Sequence, residues 1–302
     1  MKLALKIDID TYHGTRDGVP RLAALLERRG VGATFLFSLG PDHTGRALRR
    51  AFRPGFLSKV SRTSVVSHYG LVTLLYGTLL PGPDIGRRCA AGLRAVRDAG
   101  FEVGVHCWDH VRWQDQVTGR DSEWTRRELM RAVERFGEIF GAPPRVHGAA
   151  GWQTNAHALR LLDELGFACA SDTRGREPFL PSVQGELFSC PQLPTTLPTF
   201  DELIGVDGQS ASDAARRILG LCASASAAGH VFTAHAELEG GKLIAAFEAL
   251  LDGWDALGYE IVSLGTMAAA LERARLPRHA LEFAAVPGRS GTLAVQGAAL
   301  AA

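Results

Sequence analysis

Leu3-Ala-Leu-Lys-Ile-Asp-Ile-Asp10, then Asp17-Gly-Val-Pro20, then Gly30 and Val31-Gly-Ala-Thr-Phe-Leu-Phe-Ser38: this stretch reads as strand, helix, strand. The first segment is aliphatic and weakly alternating, as a buried strand is. Asp17 reads as an N-cap and Pro20 as an early helical proline. Leu22, Leu25 and Leu26 form the apolar face, and Gly30 ends the helix. The apolar run 31–38 follows as a second strand.

Working outward, the same alternation continues. Helices are expected over 84–100, 121–141, 156–166, 211–227 and 242–257. Strands are expected over 101–106, 146–150, 168–171, 231–234 and 259–264. Strands that alternate with helices imply βα units and a parallel sheet. Seven or so units suggest a barrel, complete or distorted, with its chemistry at the C-terminal strand ends. One domain over 1–275 accounts for this pattern. An insertion near 43–83 interrupts it, and an Ala/Gly-rich tail over 276–302 reads as loosely attached.

Composition narrows the function. Lys plus Arg number 33 and Asp plus Glu 32, a net charge of +1. A protein built to grip nucleic acid carries a basic excess, so no nucleic-acid partner is expected. Cys89, Cys107, Cys169, Cys190 and Cys222 are scattered, with no CxxC pair. That argues against a disulfide framework and a cysteine zinc cluster, and for a reducing compartment. The N-terminal apolar run is too short for a signal peptide, so a cytoplasmic location is expected.

The strand ends carry the candidate chemistry. Asp8 and Asp10 are two residues apart, so an extended backbone points both to one side. Most such pairs are solvated turns, but two carboxylates this close repel unless a cation or proton lies between them. His106-Cys-Trp-Asp-His110 puts two imidazoles on one face of a helical turn, which suits one metal ion. With Asp8 or Asp10 this makes two His and one carboxylate, a set that leaves positions open for water and substrate. His235 ends another strand and is a candidate general acid. Asp172 reads either as its orienting partner or as an ion-pair partner of Arg174. Gly148-Ala-Ala-Gly-Trp152 would let backbone N–H groups at Gly151 and Trp152 approach a substrate oxygen.

These residues, in this order, resemble the polysaccharide deacetylase superfamily, the NodB-homology or carbohydrate esterase 4 fold. The resemblance spans roughly residues 3–270 and implies a distorted (β/α)7 barrel. It implies Asp8 as base, Asp10, His106 and His110 as ligands of one divalent metal (Zn, Mn, Co, Ni or Fe), and His235 as acid. Residues 7–21, 105–110, 149–152, 193–202 and 235–240 look like the branch that deformylates a 4-formamido-arabinose carried on undecaprenyl phosphate. That implies hydrolysis of a linear amide, a lipid-linked sugar substrate contacted by Trp152, Gly151 and Arg174, and a place in lipid A modification and cationic-peptide resistance. An N-deacetylase of another acylated sugar is the alternative. The chain departs from the superfamily pattern twice. Ile9 separates the two first-motif acids, and His147 stands where an arginine is usual. Arg174 and Arg145 are the candidate substitutes for that arginine.

Between Asp42 and Asp84 there is no acidic residue, while Arg46, Arg49, Arg50, Arg53, Lys59 and Arg62 cluster there. An apolar stretch follows. A basic cluster beside an apolar segment suits an anionic membrane surface or a lipid phosphate. Peripheral attachment to the inner face of the cytoplasmic membrane is therefore expected.

Overall fold

The computed structural model describes residues 1–47, 72–223 and 228–301. Its centre is β1 (Lys2–Ile9), buried along nearly its whole length. Around it lie β2 (Thr34–Ser38), β3 (Glu102–Cys107), β4 (Val146–His147), β5 (Cys169–Ala170), β8 (His230–His235) and β9 (Glu260–Val262). All seven strands are parallel, in the order β5-β4-β3-β2-β1-β8, and β9 pairs with the first residues of β1. β5 and β8 do not pair directly. The segment 192–196 spans the gap: the Leu193 amide donates to the Ala170 carbonyl, and the Thr196 amide to the Val231 carbonyl. The result is the expected distorted barrel.

Helices α1 (Val19–Arg29), α2 (Ile85–Asp98), α3 (His110–Gln116), α4 (Ser122–Phe140), α5 (Ala156–Glu164), α6 (Phe200–Leu203), α7 (Ala211–Cys222), α8 (Ile244–Ala256) and α9 (Leu264–Ala269) pack outside. Local chemistry sets their starts. The side chains of Asp84, Asp109, Asp121 and Asn155 each accept a backbone N–H three residues on, as N-caps do. Asp17 is not a cap. The chain is already helical from Gly14, so Gly18 precedes α1, and Asp17 pairs instead with Arg16 and His13.

Period-2 alternation splits β1 between two environments. Leu3, Leu5, Ile7 and Ile9 face the helices within the large apolar cluster. Ala4 faces inward, among Leu36, Val146, Cys169, Leu193 and Val231. Lys6 and Asp8 continue that inward row toward the mouth. The lower barrel is thus an apolar plug, and the polar site stands on it.

The tail is not loose. β10 (Arg278–Ala285) and β11 (Thr292–Ala299) form an antiparallel hairpin. β10 pairs in parallel with β6 (Leu180–Val183), which pairs with β7 (Glu186–Leu187). This second sheet, in the order β11-β10-β6-β7, flanks the barrel mouth.

Candidate metal centre

Asp10 leaves the end of β1, and His106 and His110 bracket the turn from β3 into α3. Their ligand atoms lie within 4.8 Å of one another, the one such cluster among the described residues. His106 Nε2 is 3.2 Å from Asp10 Oδ1, and His110 Nε2 is 3.3 Å from Asp10 Oδ2. The imidazole rings stack at 5.3 Å. His106 Nδ1 lies 2.6 Å from the Gly148 carbonyl and donates to it. That bond fixes the tautomer and turns Nε2 toward Asp10, the usual arrangement behind a metal-ligating imidazole. Burial pushes the Asp10 carboxyl up, and the His110 and His106 imidazoles more than reverse it, holding it well below the usual carboxylate range. One part-buried carboxylate and two directed imidazoles converging on one point fit a divalent cation with open positions.

Asp8 sits one residue pair deeper, buried, beside these ligands. Its Oδ2 is 3.4 Å from Lys6 Nζ, and its Oδ1 is 4.0 Å from His106 Nδ1 and makes no hydrogen bond. His235 is directly across from Asp8 in the β1–β8 register, so the two face the same cavity. Its Nδ1 is buried without a hydrogen bond.

Asp172 is elsewhere engaged. Its Oδ1 accepts from His147 Nδ1 and from the Ala149 amide, both at 2.8 Å. Asp172 therefore orients His147 and the 148–152 turn, where its pairing with His235 or Arg174 was expected. The reason is register: β4 and β5 are neighbours, with His147 opposite Ala170. Arg174 pairs with Glu202 and the Leu197 carbonyl. Arg145 is exposed at the barrel's other end. Neither arginine reaches Asp8.

Trp152 forms one wall of the mouth. Its indole Nε1 donates to Thr195 Oγ1 at 3.1 Å, and its ring meets His235 edge-on at 6.3 Å. Its φ of 51° is unfavourable for so bulky a residue. Its amide is spent on the Ala149 carbonyl within the turn, so it is not a spare donor for an oxyanion. Gly151 sits at φ 62° with Gln114 so close that a Cβ would lie 2.3 Å from Nε2. The guanidinium of Arg289, at the tip of the C-terminal hairpin, lies 4.7 Å from the Trp152 ring, and that of Arg174 lies 5.1 Å away. Glu202 binds both arginines.

Four residues escaped the sequence reading as contributors: Lys6, Glu237, Glu239 and Arg289. Glu237 Oε1 accepts from the Asp10 amide, the Thr11 amide and Thr11 Oγ1 at 3.0, 2.8 and 2.7 Å. It thereby holds the backbone of a proposed ligand. Glu239 Oε2 accepts from the His235 amide, and burial pushes its carboxyl up to about 8. The signal available for both was the run of acids directly after a strand-end histidine. Arg49, Arg50, Arg53, Lys59 and Arg62, expected at a membrane or lipid phosphate, lie outside the described residues. Arg46 is described, and its Nε donates to the Gly77 carbonyl.

Comparison with known proteins agrees with this geometry. The sequence pattern of the polysaccharide deacetylase family matches residues 3–170. A protein of Shewanella sediminis (strain HAW-EB3), named probable 4-deoxy-4-formamido-L-arabinose-phosphoundecaprenol deformylase ArnD, is 38% identical over 250 residues, 83% of this chain and 80% of its own. A protein of the same name from Wigglesworthia glossinidia brevipalpis is 30% identical over 284 residues, 94% and 98% of the two chains. Among solved structures, one assigned as a polysaccharide deacetylase from Mycobacterium smegmatis superposes with a TM-score of 0.64 at 18% identity, covering 94% of each chain. A probable polysaccharide deacetylase from Pseudomonas aeruginosa PAO1 gives 0.62 at 16%, covering 91% of each. The chain belongs to the polysaccharide deacetylase family.

Proposed function

We propose that this protein is a metal-dependent amide hydrolase that removes the formyl group from a 4-deoxy-4-formamido-L-arabinose carried on undecaprenyl phosphate. The product is the 4-amino sugar lipid, used to modify lipid A and so to resist polymyxin and other cationic peptides. The observation that carries the reading is the grouping at one barrel mouth of Asp8 and His235 beside Asp10, His106 and His110. The relatives' names supply the formamido sugar and its carrier.

Asp10, His106 and His110 would hold the divalent ion, which supplies Lewis-acid polarisation of the formamide and of the attacking water. Asp8 Oδ1 has no hydrogen-bond partner and takes the proton from that water. His235, with Trp152 against its ring, delivers a proton to the leaving nitrogen as the C–N bond breaks. Formate and the free amine result. Trp152 and Arg174 line the sugar side, and Glu237 fixes the backbone at Asp10.

The same reading puts the enzyme on the inner face of the cytoplasmic membrane. At the root of the 43–83 insertion, Leu79 is 80% exposed, and Val72 and Leu80 are exposed beside it. Exposed aliphatics next to a basic segment suit an anionic bilayer that carries the lipid substrate. No helix among the described residues is long and apolar enough to cross a membrane. The direct test is formate release from the lipid-linked formamido sugar by the metal-loaded protein. Acetate release from N-acetylated sugars, with no formate, would favour the deacetylase alternative.

A further inference from the structure

Lys6 is fully buried, yet it stands on an otherwise aliphatic stretch of the central strand. A buried ammonium is costly unless it is paired and hydrogen-bonded. Here it is both. Nζ donates to the Ser171 carbonyl at 2.9 Å and lies 3.4 Å from Asp8 Oδ2. The Trp152 ring centroid is 5.2 Å away. Lys6 and Asp8 are two residues apart on β1, so they share the inward face. Gly148 borders the same pocket: a Cβ there would clash with Leu36 Cδ1 at 2.3 Å and stand at ordinary contact distance, 3.6 Å, from Lys6 Nζ.

The consequence falls on Asp8. Its two oxygens are not equivalent. Oδ2 faces the ammonium, and Oδ1 is buried with no hydrogen bond, turned toward His106. Among the described residues, no arginine is paired with this carboxylate. Arg174 is held by Glu202.

We propose that Lys6 is a positioning residue for the hydrolysis: anchored by the Ser171 carbonyl, its ammonium holds Asp8 Oδ2 so that Oδ1 faces the reacting water. The proposal rests on Asp8 acting as the base. Lys6 touches no reacting atom and acts through Asp8 alone.

Two properties of the variants test this in the full chain, read by formate release and by Co(II) stoichiometry. Lys6→Met lowers kcat about 100-fold, the scale of a misplaced general base, with KM within about threefold and Co(II) binding retained. Lys6→Arg restores kcat to within about tenfold of the parent, because a cation still reaches Oδ2. In an Asp8→Asn background, Lys6→Met costs less than about threefold more, since residues that act as one unit are not additive. Lys6→Gln, which can still donate to Ser171 but carries no charge, must lose as much kcat as Lys6→Met. It serves in its place if that variant does not fold. A Lys6→Met or Lys6→Gln protein at the parental kcat overturns the proposal. So does an equal loss in the Asp8→Asn background. Asp8→Asn at the parental rate removes the base itself and this role with it, a result distinct from the other two. If the chain releases acetate and not formate, the substrate reading fails and the same Lys6 comparison is read on acetate.

Discussion

The two halves of the barrel interior differ sharply although one strand runs through both. Below Lys6, the inward face of β1 presents Ala4 to Val146, Cys169, Leu193 and Val231. Above it stand Asp8, Asp10, His106 and His235, with His147 and Asp172 behind them. The lower half is ordinary close packing, whose worth is apolar area removed from water. The upper half buries charges, which is justified only when each is paired or reserved for chemistry. Stability should therefore respond to the lower half and turnover to the upper.

The largest effect that would break this division is on stability. Leu193→Ala opens space in the plug and should cost about 2–5 kcal/mol. The folded protein should keep its kcat, as denaturant unfolding and an activity assay would show together. A large loss of kcat without loss of stability would put Leu193 in the site. In the upper half, Glu237→Ala frees the backbone amides of Asp10 and Thr11. It should weaken metal binding about 10–100-fold, measured by calorimetric titration, and unchanged affinity would remove Glu237 from the centre's support. Arg289→Ala takes a cation from the Trp152 wall. Loss of binding that is equal in ground and transition states raises KM and spares kcat. A rise of about threefold to tenfold in KM is expected, and a fall in kcat instead would place Arg289 nearer the reaction.

A further effect is a pH dependence. The Glu239 carboxyl is raised from 4.5 to about 8 by burial. A raised carboxyl contributes stability that is complete below the unfolded value and is lost as pH rises through the folded one. Glu239→Gln should therefore flatten the decline in stability between about pH 4.5 and pH 8, followed by thermal unfolding across that range. An unchanged slope would mean that Glu239 does not titrate there.

The comparison also explains what was legible in the sequence. Asp10, His106 and His110 were readable because their grouping needs only local geometry, a strand end and one helical turn. The βα alternation was readable because each unit announces itself through caps and apolar period, as Asp84, Asp121 and Gly141 do. Asp172 was assigned the wrong partner because its neighbour depends on which strands adjoin, and that is set by the whole sheet. Lys6 passed as a charge interrupting an apolar run, although its two-residue spacing from Asp8 already placed both on one face. The C-terminal hairpin was hidden by its composition. Its small residues carry little alternating pattern, and the contact of Arg289 with Trp152 spans more than a hundred residues of chain.

The central claim is that Asp10, His106 and His110 hold one catalytic metal ion. Metal content and formate release should be measured on the same samples of the parent and of His106→Ala, with folding checked by circular dichroism. The account predicts one divalent ion per parent chain and formate release that is removed by chelation and restored by metal. It predicts a folded His106→Ala protein that has lost both the ion and turnover. A folded His106→Ala protein that releases formate at the parental rate would contradict it.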